Sequence, residues 1–204
     1  MKRLIKSIDR SRADRVVKII RPYLSGLTLD VGCWNGEVAS RLELDELIGI
    51  DIVTPPDPQI PVTLYDGIHI PYANQKFETV LCCTALHHAN APDKLLNEMK
   101  RVGKRLVILE DAYDTFCQRS SVLLLHAIGS RLTGIDFSVK GFRHHDDWCT
   151  FFRNHGLRIE KASSEKGIQP YWPFLRHHLF VLEADEGNNH DETCDNNRNR
   201  FQLR

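Results

Sequence analysis

The chain has no net charge: 27 lysines and arginines offset 27 aspartates and glutamates. No global basic field therefore points to nucleic acid. An Asn/Asp-Pro-Pro-Tyr motif of the kind that grips an extruded base is also absent. No apolar run approaches membrane-spanning length, so no transmembrane segment is expected. The N-terminus lacks a secretory apolar core. The six cysteines show no C-x-x-C spacing, so no metal framework is read from them. A reduced, cytoplasmic protein is the simplest expectation. There are no internal repeats.

What remains is the composition of an ordinary globular protein, 42% hydrophobic and 26% charged. Its 204 residues suffice for one domain with a real core. Residues 1–24 read as an amphipathic helix. Leu4, Ile5, Ile8, Val16, Val17, Ile20 and Leu24 are apolar, and Lys2, Arg3, Lys6, Arg10, Arg12, Arg15, Lys18 and Arg21 are basic. The basic face reads first as the solvated side of a helix covering the sheet or the ligand. Contact with an anionic surface or substrate is the second reading.

Residues 27–36 organise the rest. An apolar run with a terminal carboxylate, Leu27 to Val31, breaks into the turn Gly32-Cys33-Trp34-Asn35-Gly36. A helical pattern then runs to about Leu44. Strand, tight turn and helix open a nucleotide-binding α/β domain. Further strands are expected at 46–51, 60–64, 77–84 and 105–109, with a helix at 91–102 before the last of these. Such alternation implies a parallel sheet with right-handed crossovers. Ligands of such sheets bind beyond the carboxyl ends of the strands. Asp30, Asp51, Asp66, Thr84 and Glu110 all fall at those ends.

Residues 112–143 interrupt the alternation. Leu124, Leu125, Ile128 and Leu132 have helical spacing, as in an inserted helical cap. Phe142 to Trp148 opens another helix, closed by Gly156 as C-cap. Residues 157–162 and 178–184 read as two last strands. Pro170-Tyr171-Trp172-Pro173 lies in their connection, and Trp148 and Trp172 read as packing residues. Residues 185–204 have almost nothing apolar, and a disordered tail is expected.

Two ligand classes use a turn of this type. A dinucleotide seats its pyrophosphate on G-x-G-x-x-G. Here Trp34 stands at the second glycine and Glu37 at the third. Trp34 would block the diphosphate, and Glu37 would repel it. S-adenosylmethionine carries no phosphate, and its cationic centres tolerate carboxylates. Asp51 suits a ribose diol, because one carboxylate accepts two hydroxyl donors. Asp66 suits the adenine amino group.

The chain resembles the class I, Rossmann-like S-adenosylmethionine-dependent methyltransferases of small-molecule type. Asp30-Val31-Gly32-Cys33-Trp34-Asn35-Gly36 is similar to their first motif, D-x-G-x-G-x-G, with Trp34 replacing the middle glycine. Ile50-Asp51 resembles the acidic end of their second strand, and Asp66-Gly67 their adenine-contacting turn. The fourth-strand region is matched by residues 70–80 and Thr84-Ala85-Leu86-His87-His88. The resemblance covers about residues 25–184. It implies an α/β fold with a seven-stranded, mostly parallel sheet, helices on both faces and a cap insertion. It also implies S-adenosyl-L-methionine as cofactor. The candidate cofactor-binding residues are Asp30, Gly32, Trp34, Asn35, Gly36, Asp51, Ile52, Asp66, Gly67 and Thr84.

Methyl transfer needs a general base only when the acceptor must lose a proton. His87 and His88, Glu110 and Asp111, and His144 and His145 are placed for that, with Arg143 as an anion contact. His87, His88, Asp111 and His144 are the candidate catalytic residues. The expected reaction methylates an O or N atom of a small molecule, apolar or amphipathic if the cap stripe is exposed. An NAD(P)-dependent oxidoreductase and a non-catalytic protein of the same fold are the alternatives. Residue spacing does not reveal the oligomeric state.

Overall fold

The structure is a computed structural model and describes residues 2–113, 115–133, 141–168 and 176–184. The expected tail, the 170–173 segment with Trp172, and part of the expected cap lie outside the described residues.

Helix α1 spans Lys2–Ile20. Five strands follow: β1 Thr28–Val31, β2 Leu47–Asp51, β3 Val62–Leu64, β4 Phe77–Cys83 and β5 Gly103–Tyr113. Helix α2, Pro92–Val102, joins β4 to β5. Helix α3, Phe116–Thr133, leaves the end of β5. Then come β6 Arg143–His144, α4 His145–Asn154, β7 Leu157–Glu165 and β8 Arg176–Ala184. The strand order is β3-β2-β1-β4-β5-β8-β7, with the short β6 pairing β5. The first five strands are mutually parallel and β8 is antiparallel to both neighbours. The expected α/β class and mostly parallel sheet are present. An eighth strand of two residues is added because β5 is long enough to pair Ala112 and Tyr113 with Arg143 and His144.

Alternation along the central strands sends side chains to two separate cores. Leu81, Val107, Leu109 and Leu179 face α1, whose Val16 and Ile20 are fully buried. Val80, Cys82, Leu106, Ile108, Phe180 and Leu182 face the other way, against Leu95, Leu96 and Met99 of α2 and Trp148 and Phe152 of α4. Both faces are covered, which explains the near-continuous apolar runs of β4 and β5. Trp148 is a packing residue as expected, stacked on Phe152 at 5.5 Å. Gly156 takes φ +65 after α4, as a left-handed C-cap does.

Two local expectations fail. The helix expected after Gly36 is only a 3-10 turn at Ala39–Arg41. Gly36 has φ +74 and Glu43 has φ +50, so left-handed residues bracket the segment. The six residues between them are too few to repay helix nucleation. Arg41 holds the turn instead, binding Glu37 at 2.7 Å and Asp14 of α1 at 2.8 Å. The fifth strand also runs past its expected end at Leu109. Glu110 and Asp111 lie within it, on opposite faces, because β8 pairs with it as far as Ala112.

Candidate active site

The glycine turn is built by backbone geometry. The N–H groups of Gly32 and Cys33 donate to the Ile50 carbonyl at 2.9 and 3.2 Å, which locks the turn onto the end of β2. Gly32 has φ +73, and a Cβ there would lie 2.5 Å from that of Ala85. A Cβ on Gly36 would lie 2.4 Å from Ile60 Cγ1. Both positions therefore require glycine for conformation and for space. Trp34 takes φ +49 without that freedom, and the residue is 43% exposed. Asn35 caps the turn, its side-chain oxygen accepting the Glu37 N–H at 3.2 Å.

Two buried carboxylates underlie this turn. Asp51 accepts the Trp34 N–H at 2.7 Å and the Val53 N–H at 3.2 Å. Asp30 is buried in β1, and its pKa is pushed up to about 7, first by burial and then by the charge of Asp51. Burial likewise raises the Cys33 thiol well above its ordinary value, which leaves no thiolate here. Trp34, with Ile52 and Val53 at 61% and 41% exposed, forms an apolar rim. Asp66 stands beyond the end of β3. It accepts N–H groups of Ile68 and His69 at 2.8 and 2.6 Å and meets the His69 ring at 2.6 Å. The His69 hydrogen bond, then the two amides, hold it down at about 2, so it is ionised. Gly67 follows at φ +83, and a Cβ there would meet Ile52 at 3.1 Å.

At the end of β4, Thr84 has φ +51, a strained conformation for a β-branched residue. Its N–H donates to Leu109 at 2.6 Å, and its hydroxyl accepts from Arg12 of α1 at 3.1 Å. Glu110 is fully buried and organises the next turn. Its carboxylate accepts the N–H groups of Ala85 and Leu86 at 3.2 and 2.7 Å, and Nδ1 of His87. Burial works against a charged His87, but the charge and hydrogen bond of Glu110 outweigh it and raise its pKa. The His88 ring lies 3.8 Å from that of His87. Phe142, where the chain leaves the cap region, covers His87 at 4.5 Å.

The remaining candidates separate. Asp111 faces α1 and lies 3.1 Å from His177 Nε2, whose pKa burial lowers. His144 stands at the start of α4, where its Nδ1 accepts the Asp146 N–H at 3.3 Å. His145 and His178 share a hydrogen bond of 2.7 Å between their Nδ1 atoms. Burial, then His145, pushes His178 down to about 3, so it is neutral. Arg143 lies across the rings of Trp148 and Phe151 at 4.7 and 4.2 Å. On α3, Leu124 and Ile128 are exposed, while Leu125 and Leu132 lie outside the described side chains. Among the described residues no group of three His, Cys, Asp or Glu converges as a metal site.

The structure thus gathers the glycine turn, Asp30, Asp51 and Thr84 at one edge and places His87 beside them through Glu110. Residue types alone did not reveal that Glu110 grips His87, or that Arg12 and His177 join the same edge. The available signal was the Glu110-Asp111 pair opposite His177-His178 in two neighbouring strands.

Residues 29–109 match the family described as Methyltransferase domain. Over that stretch the chain is similar to this methyltransferase family. Its family motif region coincides with β1 to β5, the part that carries the turn and both acidic strand ends. The chain is 29% identical over 123 residues to the ubiquinone/menaquinone biosynthesis C-methyltransferase UbiE of Ralstonia pickettii (strain 12J). That match covers 52% of this chain and 46% of the relative, so it spans about half the relative's length. Among solved structures, a SAM-dependent methyltransferase of Thermotoga maritima superposes with a TM-score of 0.63 at 12% identity, covering 88% of this chain and 92% of the other. The magnesium protoporphyrin IX methyltransferase of Synechocystis PCC 6803, solved with S-adenosylhomocysteine, gives 0.57 at 18% identity, covering 88% and 85%. At these identities the likeness is one of fold. No helix among the described residues is long and apolar enough to cross a membrane.

Proposed function

We propose that this chain transfers a methyl group from S-adenosylmethionine to a small-molecule acceptor, through the domain at residues 25–184. The observation that carries the reading is the pair of buried carboxylates, Asp30 and Asp51, under a turn that requires glycine at Gly32 and Gly36. A diphosphate would add negative charge to Asp30, already raised to about 7 by burial and by Asp51. A sulfonium and an ammonium would discharge the same site. Bound S-adenosylmethionine supplies a methyl group on a good leaving group. The protein's part is to hold and align it and to exclude water.

In this reading Gly32, Asn35 and Gly36 shape the turn around the cofactor, and Asp30 faces its cationic end. Asp51 keeps lone pairs for the ribose hydroxyls while fixing the Trp34 N–H. Asp66 and Gly67 receive the adenine edge, and Trp34 and Ile52 cover its faces. Thr84 closes the site on the β4 side. His87, held by Glu110, is the preferred base for an acceptor O–H or N–H, and His88, Asp111 and His144 are the further candidates. The exposed apolar residues of α3 favour an apolar or amphipathic acceptor. Carbon is the second reading for the methylated atom, because the curated relative is a C-methyltransferase.

Calorimetric titration tests the cofactor. S-adenosylmethionine should bind more tightly than NAD(P)H, and Asp51→Ala should weaken it by about 1–3 kcal/mol, the scale of hydrogen bonds to a charged group. Tighter NAD(P)H binding would overturn the reading, and unchanged affinity in the variant would overturn the ribose assignment. Labelled S-adenosylmethionine incubated with metabolite extracts, followed by mass analysis, then identifies the methylated atom.

A further inference from the structure

The guanidinium of Arg143 is fixed in place but left short of an acceptor. Strand β6 sets its backbone beside β5, with Arg143 opposite Ala112. Ala112 lies two residues beyond Glu110 and so shares its face of the sheet. Two residues along and one strand over is roughly 8 Å between the backbones of Glu110 and Arg143. The two residues before Arg143 rest on the His87 turn. A Cβ on Gly141 would overlap the His87 carbonyl, and the Phe142 ring lies 4.5 Å from that of His87. Arg143 therefore stands beside the Glu110–His87 pair, on the face covered by α2 and α4.

Aromatic planes hold its side chain, with Trp148 at 4.7 Å and Phe151 at 4.2 Å. Both are buried, so the guanidinium fork keeps one orientation. Stacking satisfies the faces of a guanidinium and leaves its edge N–H groups to find acceptors. Nη1 is buried and has no hydrogen-bond partner among the described residues. The carboxylates whose charge reaches it are Asp93, Asp147 and Glu110. Asp93 is paired with His155 at 3.3 Å, and Glu110 is taken up by His87 and the amides of Ala85 and Leu86. Burial outweighs all three carboxylates and lowers the Arg143 pKa. A buried charged donor without an acceptor is costly, and a ligand oxyanion would recover that cost. Carboxylate and phosphate both match the fork with two parallel bonds.

We infer that Arg143 is a specificity residue that binds an oxyanion group of the methyl acceptor, separate from the atom that is methylated. This rests on the methyl-transfer reading above and narrows its acceptor to an organic anion. An amphipathic acid satisfies both Arg143 and the exposed apolar residues of α3.

The test incubates the full chain and labelled S-adenosylmethionine with metabolite extracts fractionated on anion-exchange resin at neutral pH. The labelled product should arise from the retained, anionic fractions, and its mass then separates carboxylate from phosphate. With that acceptor purified, Arg143→Gln should raise KM by about 10- to 100-fold, as for a lost charge-assisted bond. Its kcat should stay within about threefold, as when binding is lost equally from ground and transition states. Arg143→Lys should recover part of the loss in KM. Affinity for S-adenosylhomocysteine should stay within about twofold in both variants, as for a separate site in a folded chain. A labelled product formed only from neutral or cationic fractions overturns the inference. So does an unchanged KM in Arg143→Gln, or a variant that loses S-adenosylhomocysteine as well, which would make Arg143 a prop of the fold. A wild-type chain that labels nothing in any fraction overturns the methyl-transfer reading itself.

Discussion

Over β1 and β2 the buried carboxylates Asp30 and Asp51 accept only backbone amides or repel one another, whereas over β5 the buried carboxylates Glu110 and Asp111 each face a histidine. The two halves of one strand edge thus handle the same problem differently. Ionised groups in a low-dielectric interior are costly unless paired. At Glu110 the β4–β5 half meets that cost from within, through two backbone amides and His87, whereas burial lowers the pKa of the His177 beside Asp111. The β1–β2 half gives Asp30 no opposing charge, so its ionised form acts against the fold until a cationic ligand arrives, while Asp51 is held by two backbone amides. In the proposed reading, the unopposed charge of Asp30 lies on the donor side, and the paired Glu110 positions His87 on the acceptor side.

The largest test of this contrast lies in the paired half. Glu110→Ala strips His87 of its counter-charge and removes the acceptor of the Ala85 and Leu86 amides. Breaking a buried pair in this way should destabilise the protein by about 3–5 kcal/mol in urea unfolding. Glu110→Gln, which can still accept the amides, should lose less. The sign with pH follows from His87. Its folded pKa is raised above the ordinary 6.5, so its contribution is complete below 6.5 and fades as pH rises through the folded value. The gap between wild type and Glu110→Gln should therefore narrow at alkaline pH. A gap that widens there would mean that the charge of His87 does not matter to the fold.

Asp30→Asn should do the reverse. The native value of about 7 lies above the ordinary 3.8, so the folded chain holds a proton that the unfolded chain has released. Stability then falls as pH climbs from about 4 to 7. The asparagine variant escapes that fall, and its advantage at pH 8 should reach up to roughly 4 kcal/mol. Its affinity for S-adenosylmethionine should drop at the same time. A variant less stable than wild type at every pH would show that Asp30 is paired after all, and the contrast between the two halves would collapse.

The same contrast explains what the chain disclosed as a sequence. The donor half was legible because its parts are contiguous: a strand, a turn with Gly32 and Gly36, and carboxylates at strand ends. The buried strands declared themselves by unbroken apolar runs. The acceptor half depends on partners far apart in the chain. His87 meets Glu110 across 23 positions, and Asp111 meets His177 only because β8 is inserted beside β5 in antiparallel register. Arg12 reached Thr84 across 72 positions and looked, in sequence, like one more charge on a basic face. Local pattern likewise overstated the helix after Gly36, where helical spacing was present but the segment was too short.

Trp34 carries the finest distinction within the donor half. It occupies a left-handed position where glycine would be at ease, which costs about 1–2 kcal/mol for a residue with a Cβ. Trp34→Gly relieves that strain but frees the unfolded chain, a loss of about 0.5–1 kcal/mol. The two effects nearly cancel, so the melting temperature should barely change. Affinity for S-adenosylhomocysteine should fall by about 2- to 10-fold, the worth of one aromatic contact, because the indole with Ile52 forms the exposed apolar rim. Unchanged affinity would leave the ring as a surface feature and shift recognition of the adenosine to Asp51 and Asp66. A large loss of stability instead would mean that the indole props the turn, and the turn's shape would then depend on a side chain as well as on Gly32 and Gly36.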